Sequence, residues 1–378
     1  MSDKGNYEII DCDKNGEKYV QDGYQAVAEQ NIAMRVRDYL NERVAWRYFI
    51  LIALLNLIVM SSTMIVAHEI SSPFSLWFID TTLLMLMAGG YVLIVGFCWD
   101  ISLILFGMFI DFLRGRLRLN IPERLSLAGS RSLRFFPSGI AGIFIILLTS
   151  YAILGTSNIT LLSFKVLGTI TEWRDPIFWN LEGPLFQWLS TLAINTTFWD
   201  ALYHSCWLLE MTMVCFLVIV SQGSRVVFFY GYSMIILYYV GRFVGMLNPV
   251  KGPAFYMPQY FDHADGSLTK MAVEKLTTTL SLPPEQAIEQ GGILLGGISA
   301  MPSLHIGMVI LTSYWLYTAR KWTVFITAPW IIMVWISTVV LGWHYLIDGV
   351  GGLFLAIFSI WATRFLLKFS WCGLAKNI

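Results

Sequence analysis

Hydrophobic and polar positions alternate along this chain in long blocks rather than with a short period. Runs of roughly 20 apolar residues, the length that crosses a bilayer as a helix, fall at about 47–67, 79–98, 136–156, 203–221, 225–247, 302–320, 323–342 and 346–368. The pattern predicts an all-α polytopic membrane protein of about eight spans, with both ends on one side. The run from Asp100 to Leu113 is apolar but short and bracketed by Asp100 and Asp111, so it reads as an extension of the second span or an interfacial helix. A ninth span there would break the parity.

Between these runs the polar blocks differ in kind. Residues 1–45 are mixed in charge and lack a positive start leading into an apolar core, so they read as a soluble tail without a cleavable signal. Residues 46–135 add two accessory spans and a loop crowded with Arg114, Arg116, Arg118, Arg124, Arg131 and Arg134. Residues 136–378 carry six spans and two long segments on the opposite face, 157–202 and 248–301. Arg35, Arg37, Arg43 and Arg47 before the first span, and Arg225, Arg320, Lys321, Arg364 and Lys368 elsewhere, lie where the count places the cytoplasm. The segment 157–202 holds Trp173, Trp179, Trp188 and Trp199 among charged and amide residues, which suits amphipathic helices on the bilayer surface. Asn158-Ile159-Thr160 and Asn195-Thr196-Thr197 match a glycosylation acceptor, a tripeptide common by chance.

Composition agrees with the blocks: 378 residues, 56% hydrophobic and 13% charged, describe a membrane class. The net charge of zero gives no basic excess for a nucleic acid partner. The five cysteines, Cys12, Cys98, Cys206, Cys215 and Cys372, are scattered and form neither a metal knuckle nor a disulfide framework. Nucleotide-binding glycine patterns and clusters of metal ligands are equally missing from the sequence.

Chemistry gathers in the last quarter. Ala300-Met301-Pro302-Ser303-Leu304-His305 opens one apolar run, and Trp343-His344-Tyr345-Leu346-Ile347-Asp348 opens another. His344 and Asp348 are four apart and share a helix face, so the carboxylate can accept from one ring nitrogen while the other attacks or passes a proton. Pro302 suits a first helical turn, leaving the amides of Ser303, Leu304 and His305 to face an anion such as phosphate. A single histidine at a helix end is commonly an interfacial hydrogen-bonding residue; two at the same ends of neighbouring spans, one with an aspartate a turn later, favour catalysis.

These two stretches resemble the type 2 phosphatidic acid phosphatase superfamily, whose motifs run Pro-Ser-Gly-His and then Ser-Arg with His and Asp downstream. Here the first reads Pro302-Ser303-Leu304-His305, and the second reads Ser337-Thr338 followed by His344-Tyr345 and Asp348. Leucine for glycine and threonine for arginine are similar to the inositol phosphorylceramide synthase branch. The resemblance is specific over residues 300–352 and extends less closely from about 200. It implies a core of six helices with His344 as the nucleophile taking the phosphoryl group, Asp348 as its orienting partner and His305 as the acid protonating the leaving oxygen. Ser303 and Ser337 are the motif positions expected to touch substrate. With the arginine missing, Lys251 or Arg242 is the cation expected to neutralise the phosphate, and the two rank equally. The plainer alternatives are an exposed loop lysine for Lys251 and a snorkelling side chain for Arg242.

Gly291, Gly292, Gly296 and Gly297 read as loop glycines or a close approach to substrate, and His263 and Asp265 as solvated loop residues or headgroup contacts. Glu210 inside an apolar span, with His204 near that span's outer end, lines a cavity or makes a structural hydrogen bond. The expected function is a lipid phosphotransferase moving a phosphorylated headgroup from a phospholipid donor to a lipid acceptor, with no cofactor and no metal. The alternative is a lipid phosphate phosphatase, in which water replaces the acceptor. A transporter using Glu210 and Arg242, and an inactive scaffold, rank below both. The parity of spans puts His305, His344 and Asp348 on the non-cytoplasmic face, periplasmic or lumenal.

Overall fold

In a computed structural model, the structure describes residues 49–74, parts of 87–114 and 148–165, then 173–220, 224–283, 286–287 and 299–374. The expected soluble tail, the Arg-rich loop beyond Arg114, the glycines at 291–297 and most of the 79–98 and 136–156 runs lie outside the described residues.

The described elements are helical. α1 spans Phe49–Glu69. α2 (Asp175–Ser190), α3 (Thr196–His204) and α4 (Cys206–Val220) follow, with a turn at Ser205 separating the last two. α5 (Ser224–Leu247) leads into the outer segment that holds the single turn α6 (Pro253–Tyr256) and α7 (Leu268–Leu280). α8 (Leu304–Ala319), α9 (Val324–Val340) and α10 (Leu346–Leu374) complete the chain.

Among the described residues, four helices are long and apolar enough to cross a membrane: Phe49–Glu69, Val226–Leu247, Lys321–Val340 and Leu346–Leu366. α4 and α8, at 15 and 16 residues, are as apolar but shorter. α8 is the central helix, packed by α4, α5, α9 and α10, so much of its apolar surface meets protein instead of lipid. The run expected at 203–221 begins as a separate helix, because the backbone turns at Ser205.

Helix packing in a bilayer gains little from excluding water, so close van der Waals contact and interhelical hydrogen bonds hold the bundle. Glu210, fully buried in α4, accepts from Tyr230 Oη at 3.2 Å and from Thr312 Oγ1, joining α4, α5 and α8. Ser233 Oγ and Thr363 Oγ1 bond at 3.0 Å, and Trp315 Nε1 donates to Ser233 Oγ at 3.2 Å, joining α5, α8 and α10. Glu210 is thus a structural hydrogen-bonding residue, as one of its two sequence readings had it.

The α8–α10 contact depends on small residues. A Cβ at Gly352 would meet the Ser303 carbonyl oxygen and stand 3.0 Å from Gly307 N, both backbone atoms with no room to yield. Gly352→Ala is therefore expected to lower stability by about 1–3 kcal/mol. A thermal unfolding scan in detergent should show an earlier midpoint than Gly90→Ala, a site where a Cβ meets nothing.

Candidate active site

α9 ends where its last carbonyls gather a tight turn. Thr338 O accepts from Trp343 N at 3.0 Å and from His344 N at 3.2 Å, which folds residues 341–345 back over the helix end. The side chains of Ser337 and Thr338 donate to Val334 O and Trp335 O of their own helix, at 2.7 and 2.8 Å. Ser337, expected to touch substrate, is fully buried with its hydroxyl bonded within α9.

His344 is nearly buried, and its Nδ1 lies 2.8 Å from the carbonyl oxygen of Ala300. A carbonyl can only accept, so Nδ1 carries the proton and Nε2 presents its lone pair. Asp348 Oδ2 is further from Nδ1, at 3.6 Å. The ring is thus held most closely by the backbone of residue 300, with the expected Asp348 carboxylate beside the same nitrogen at ion-pair distance. Asp348 Oδ2 accepts from Tyr345 N at 2.7 Å, the reach of a third helical residue back to the cap, while Oδ1 is buried without a hydrogen-bond partner. Asp348 therefore starts α10 and places a carboxylate oxygen beside the imidazole at once.

His305 enters from the first turn of α8, its ring centroid 5.9 Å from that of His344 and 5.1 Å from that of Tyr203. Tyr203 stacks in turn on Trp343 at 5.4 Å. Ser303 caps α8, its Oγ accepting from Ile306 N at 3.4 Å. Its own N–H donates to Asp348 O at 3.0 Å. The Ser303 amide is thus used to tie α8 to α10, and is not one of the free donors expected for an anion.

The two candidate cations part ways. Lys251 Nζ lies over the Trp173 ring, 4.8 Å from its centroid; burial pulls the ammonium down from its usual range and the Asp175 charge opposes the shift. Arg242 is 6% exposed, its Nε has no hydrogen-bond partner, and among the described residues no ion pair reaches it. Its neighbours in α5, Gly241 and Gly245, face Leu304 and the backbone of Met301, which places it at the level of the α8 entry.

Three features escape the sequence reading. Asp175 accepts from Lys251 N at 2.9 Å and Gly252 N at 3.0 Å, pinning the loop whose Val250 O accepts from Ala300 N at 2.8 Å. Gly252 sits at φ +112° with the Trp343 carbonyl oxygen 2.5 Å from where a Cβ would stand, a position only glycine fills. Glu182 accepts from Leu346 N at 2.6 Å and Ile347 N at 2.9 Å, satisfying the open amides of α10. Burial pushes both carboxyls above the usual carboxylate range against those amides, which draw them down; the Asp348 charge adds to the rise at Glu182. Third, Asp200 lies 3.3 Å from His204 Nε2 and accepts from Leu268 N and Thr269 N at 3.0 Å each, so His204 belongs to the capping of α7. Asp175 before a proline, with Glu182 two turns on, was the available signal for the first two.

His263, read as a loop residue, donates Nε2–H to Val340 O at 2.9 Å and braces the end of α9. Asp265 pairs with Lys270 at 3.1 Å. Neither reaches the histidine pair.

No curated protein and no solved structure matches the chain. A family profile described as the PAP2 superfamily matches residues 169–362, just over half of the 378 residues, running from before α2 into α10 and enclosing Asp175, Glu182, His305, His344 and Asp348. Membership supports an activity of the phosphatase or phosphotransferase type. With its helices apolar enough to span a membrane and its paired histidines at their ends, the chain belongs to the PAP2 superfamily.

Proposed function

We propose that the protein is a lipid phosphotransferase that moves a phosphorylated headgroup from a phospholipid donor to a lipid acceptor through a phosphohistidine at His344, similar to inositol phosphorylceramide synthases. The observation that carries the reading is the His344 ring held through Nδ1 by Ala300 O at 2.8 Å, with the His305 ring edge-to-face beside it, centroids 5.9 Å apart. Nε2 attacks phosphorus, the bond from phosphorus to the diacylglycerol oxygen breaks, and His305 gives that oxygen its proton. The acceptor hydroxyl then attacks phosphorus, the phosphorus–nitrogen bond breaks, and the hydroxyl proton returns to His305. Burial of His344 and the stack of Tyr203 on Trp343 limit access of water, which supports an alcohol over water as the second nucleophile. The reacting groups lie at the non-cytoplasmic ends of their spans, by the parity of the chain.

Arg242 is the cation that meets the phosphate in this reading, since a buried guanidinium with an open Nε offers a charge-assisted donor that Lys251 has already committed to Trp173. Purified protein is to be mixed with labelled phospholipids and with a ceramide or a diacylglycerol. A labelled new lipid establishes transfer, labelled headgroup released only to water makes the protein a hydrolase, and neither product sinks both. Arg242→Gln is expected to lower kcat/KM about 10- to 100-fold, and Lys251→Ala less than about threefold.

A further inference from the structure

α2 has two faces of opposite character. Asp175, Glu182 and Phe186 point into the protein, where Phe186 packs with Tyr345, Val250 and Ala300. At about 100° per residue, Ile177, Leu181, Pro184 and Trp188 fall within an arc of about 60° on the other side. That side is open: Ile177 is 67%, Leu181 66% and Trp188 56% exposed. No other described element covers these side chains.

The depth of this stripe is fixed by its neighbour. Glu182 bonds the first two amides of α10, and Leu346 is the first residue of the span Leu346–Leu366. α2 therefore lies where that span leaves the bilayer, and Leu346 and Phe354 of α10 are exposed apolar side chains as well. A helix with one apolar face at that level meets the boundary between acyl chains and headgroups.

We infer that α2 is a lipid-surface helix that positions the nucleophile: its Ile177, Leu181 and Trp188 face seats in the outer leaflet while Glu182 and Asp175 on its inner face hold α10 and the 250–252 loop, and through them His344. The chain of contacts is short. Asp175 fixes the amides of Lys251 and Gly252; Val250 O holds Ala300 N; Ala300 O holds His344 Nδ1. Glu182 fixes Leu346 and Ile347, one residue from Tyr345 and one residue from Asp348 respectively. Lipid contact at α2 thus sets the imidazole at both ends. The positioning half rests on the phosphotransferase reading above; the lipid half does not.

The test separates them. A photo-crosslinking amino acid is placed at 181, at 187 as the polar-face control, and at 325 in α9 as the span control, Phe325 being 81% exposed. Each protein is reconstituted in phosphatidylcholine vesicles and irradiated. A phospholipid adduct at 181 and 325 but not at 187 is expected. Adducts at 325 with none at 181, or only protein adducts at 181, overturn the lipid contact.

For positioning, Glu182→Ala and Glu182→Gln are compared in the transfer assay. The alanine variant is expected to lose about 10- to 100-fold in kcat with the donor KM within about twofold, and the glutamine variant, which keeps one acceptor oxygen, to recover part of it. Equal kcat in all three overturns positioning whatever the crosslink shows. Native protein with neither transfer nor hydrolysis overturns the functional reading and with it the positioning half, while the lipid adduct is still read.

Discussion

His344→Ala is expected to lose headgroup transfer by about 10⁴-fold or more while keeping its fold. The size follows from the role: without a nitrogen to accept the phosphoryl group, the reaction loses its covalent route and keeps only binding and charge stabilisation. Stability should change little, since His344 contributes one side-chain bond, to Ala300 O, and its backbone N–H to Thr338 O is kept by alanine. The decisive readout is covalent. Native protein incubated with a donor labelled in the headgroup phosphate, with no acceptor present, should carry label that is lost in acid and resists alkali, as a phosphorus–nitrogen bond does. His344→Ala should carry none, and adding acceptor to labelled native protein should move the label to a new lipid. Unchanged transfer in the variant, or label that survives on it, would remove His344 from the nucleophile's place.

The parts of this protein legible in its sequence are those set by local pattern. Apolar runs at 225–247, 302–320 and 323–342 became α5, α8 and α9 with ends within about two residues, because a span's length is imposed by the bilayer. His344 and Asp348 were legible together by their spacing of four, although His344 lies in the turn before α10 and not on the helix itself. What orients His344 was not, since its closest partner is a backbone carbonyl 44 residues away in sequence, and a carbonyl leaves no mark in composition.

The inward contacts of the outer segments were hidden for a related reason. Acids among tryptophans read as a surface helix, and one face of α2 is apolar and exposed. Its inner face, however, spends Asp175 and Glu182 on amides of loops and helices distant in the chain, a use visible only once the chain has closed. Lys251 and Arg242 could not be ranked from sequence, because their difference lies in what surrounds them: an indole ring and a carboxylate for one, and for the other a buried site that no ion pair reaches among the described residues. Ser303 and Ser337 were named for substrate by motif position, and both hydroxyls instead bond within their own helices.

His305→Gln should separate the two proton-transfer steps from the attack itself. Glutamine keeps a polar side chain of similar reach beside Tyr203 but cannot donate and recover a proton at the reacting oxygen. With a natural phospholipid donor, whose leaving alkoxide is strongly basic, transfer is expected to fall about 10²- to 10⁴-fold. With a donor whose leaving group is a nitrophenolate, stable without a proton, formation of the labelled enzyme should fall less than about tenfold. The second half-reaction still needs a base, so label should accumulate on His305→Gln from the activated donor and pass to acceptor slowly. The measurement is the rate of labelling and the rate of label transfer, taken separately for the two donors. Equal losses with both donors would mean that His305 holds the site's shape instead of a proton, and that the acid sits elsewhere. In the proposed reaction the two rings, whose centroids lie 5.9 Å apart in an edge-to-face arrangement, divide the work, one receiving the phosphoryl group and the other handling the proton.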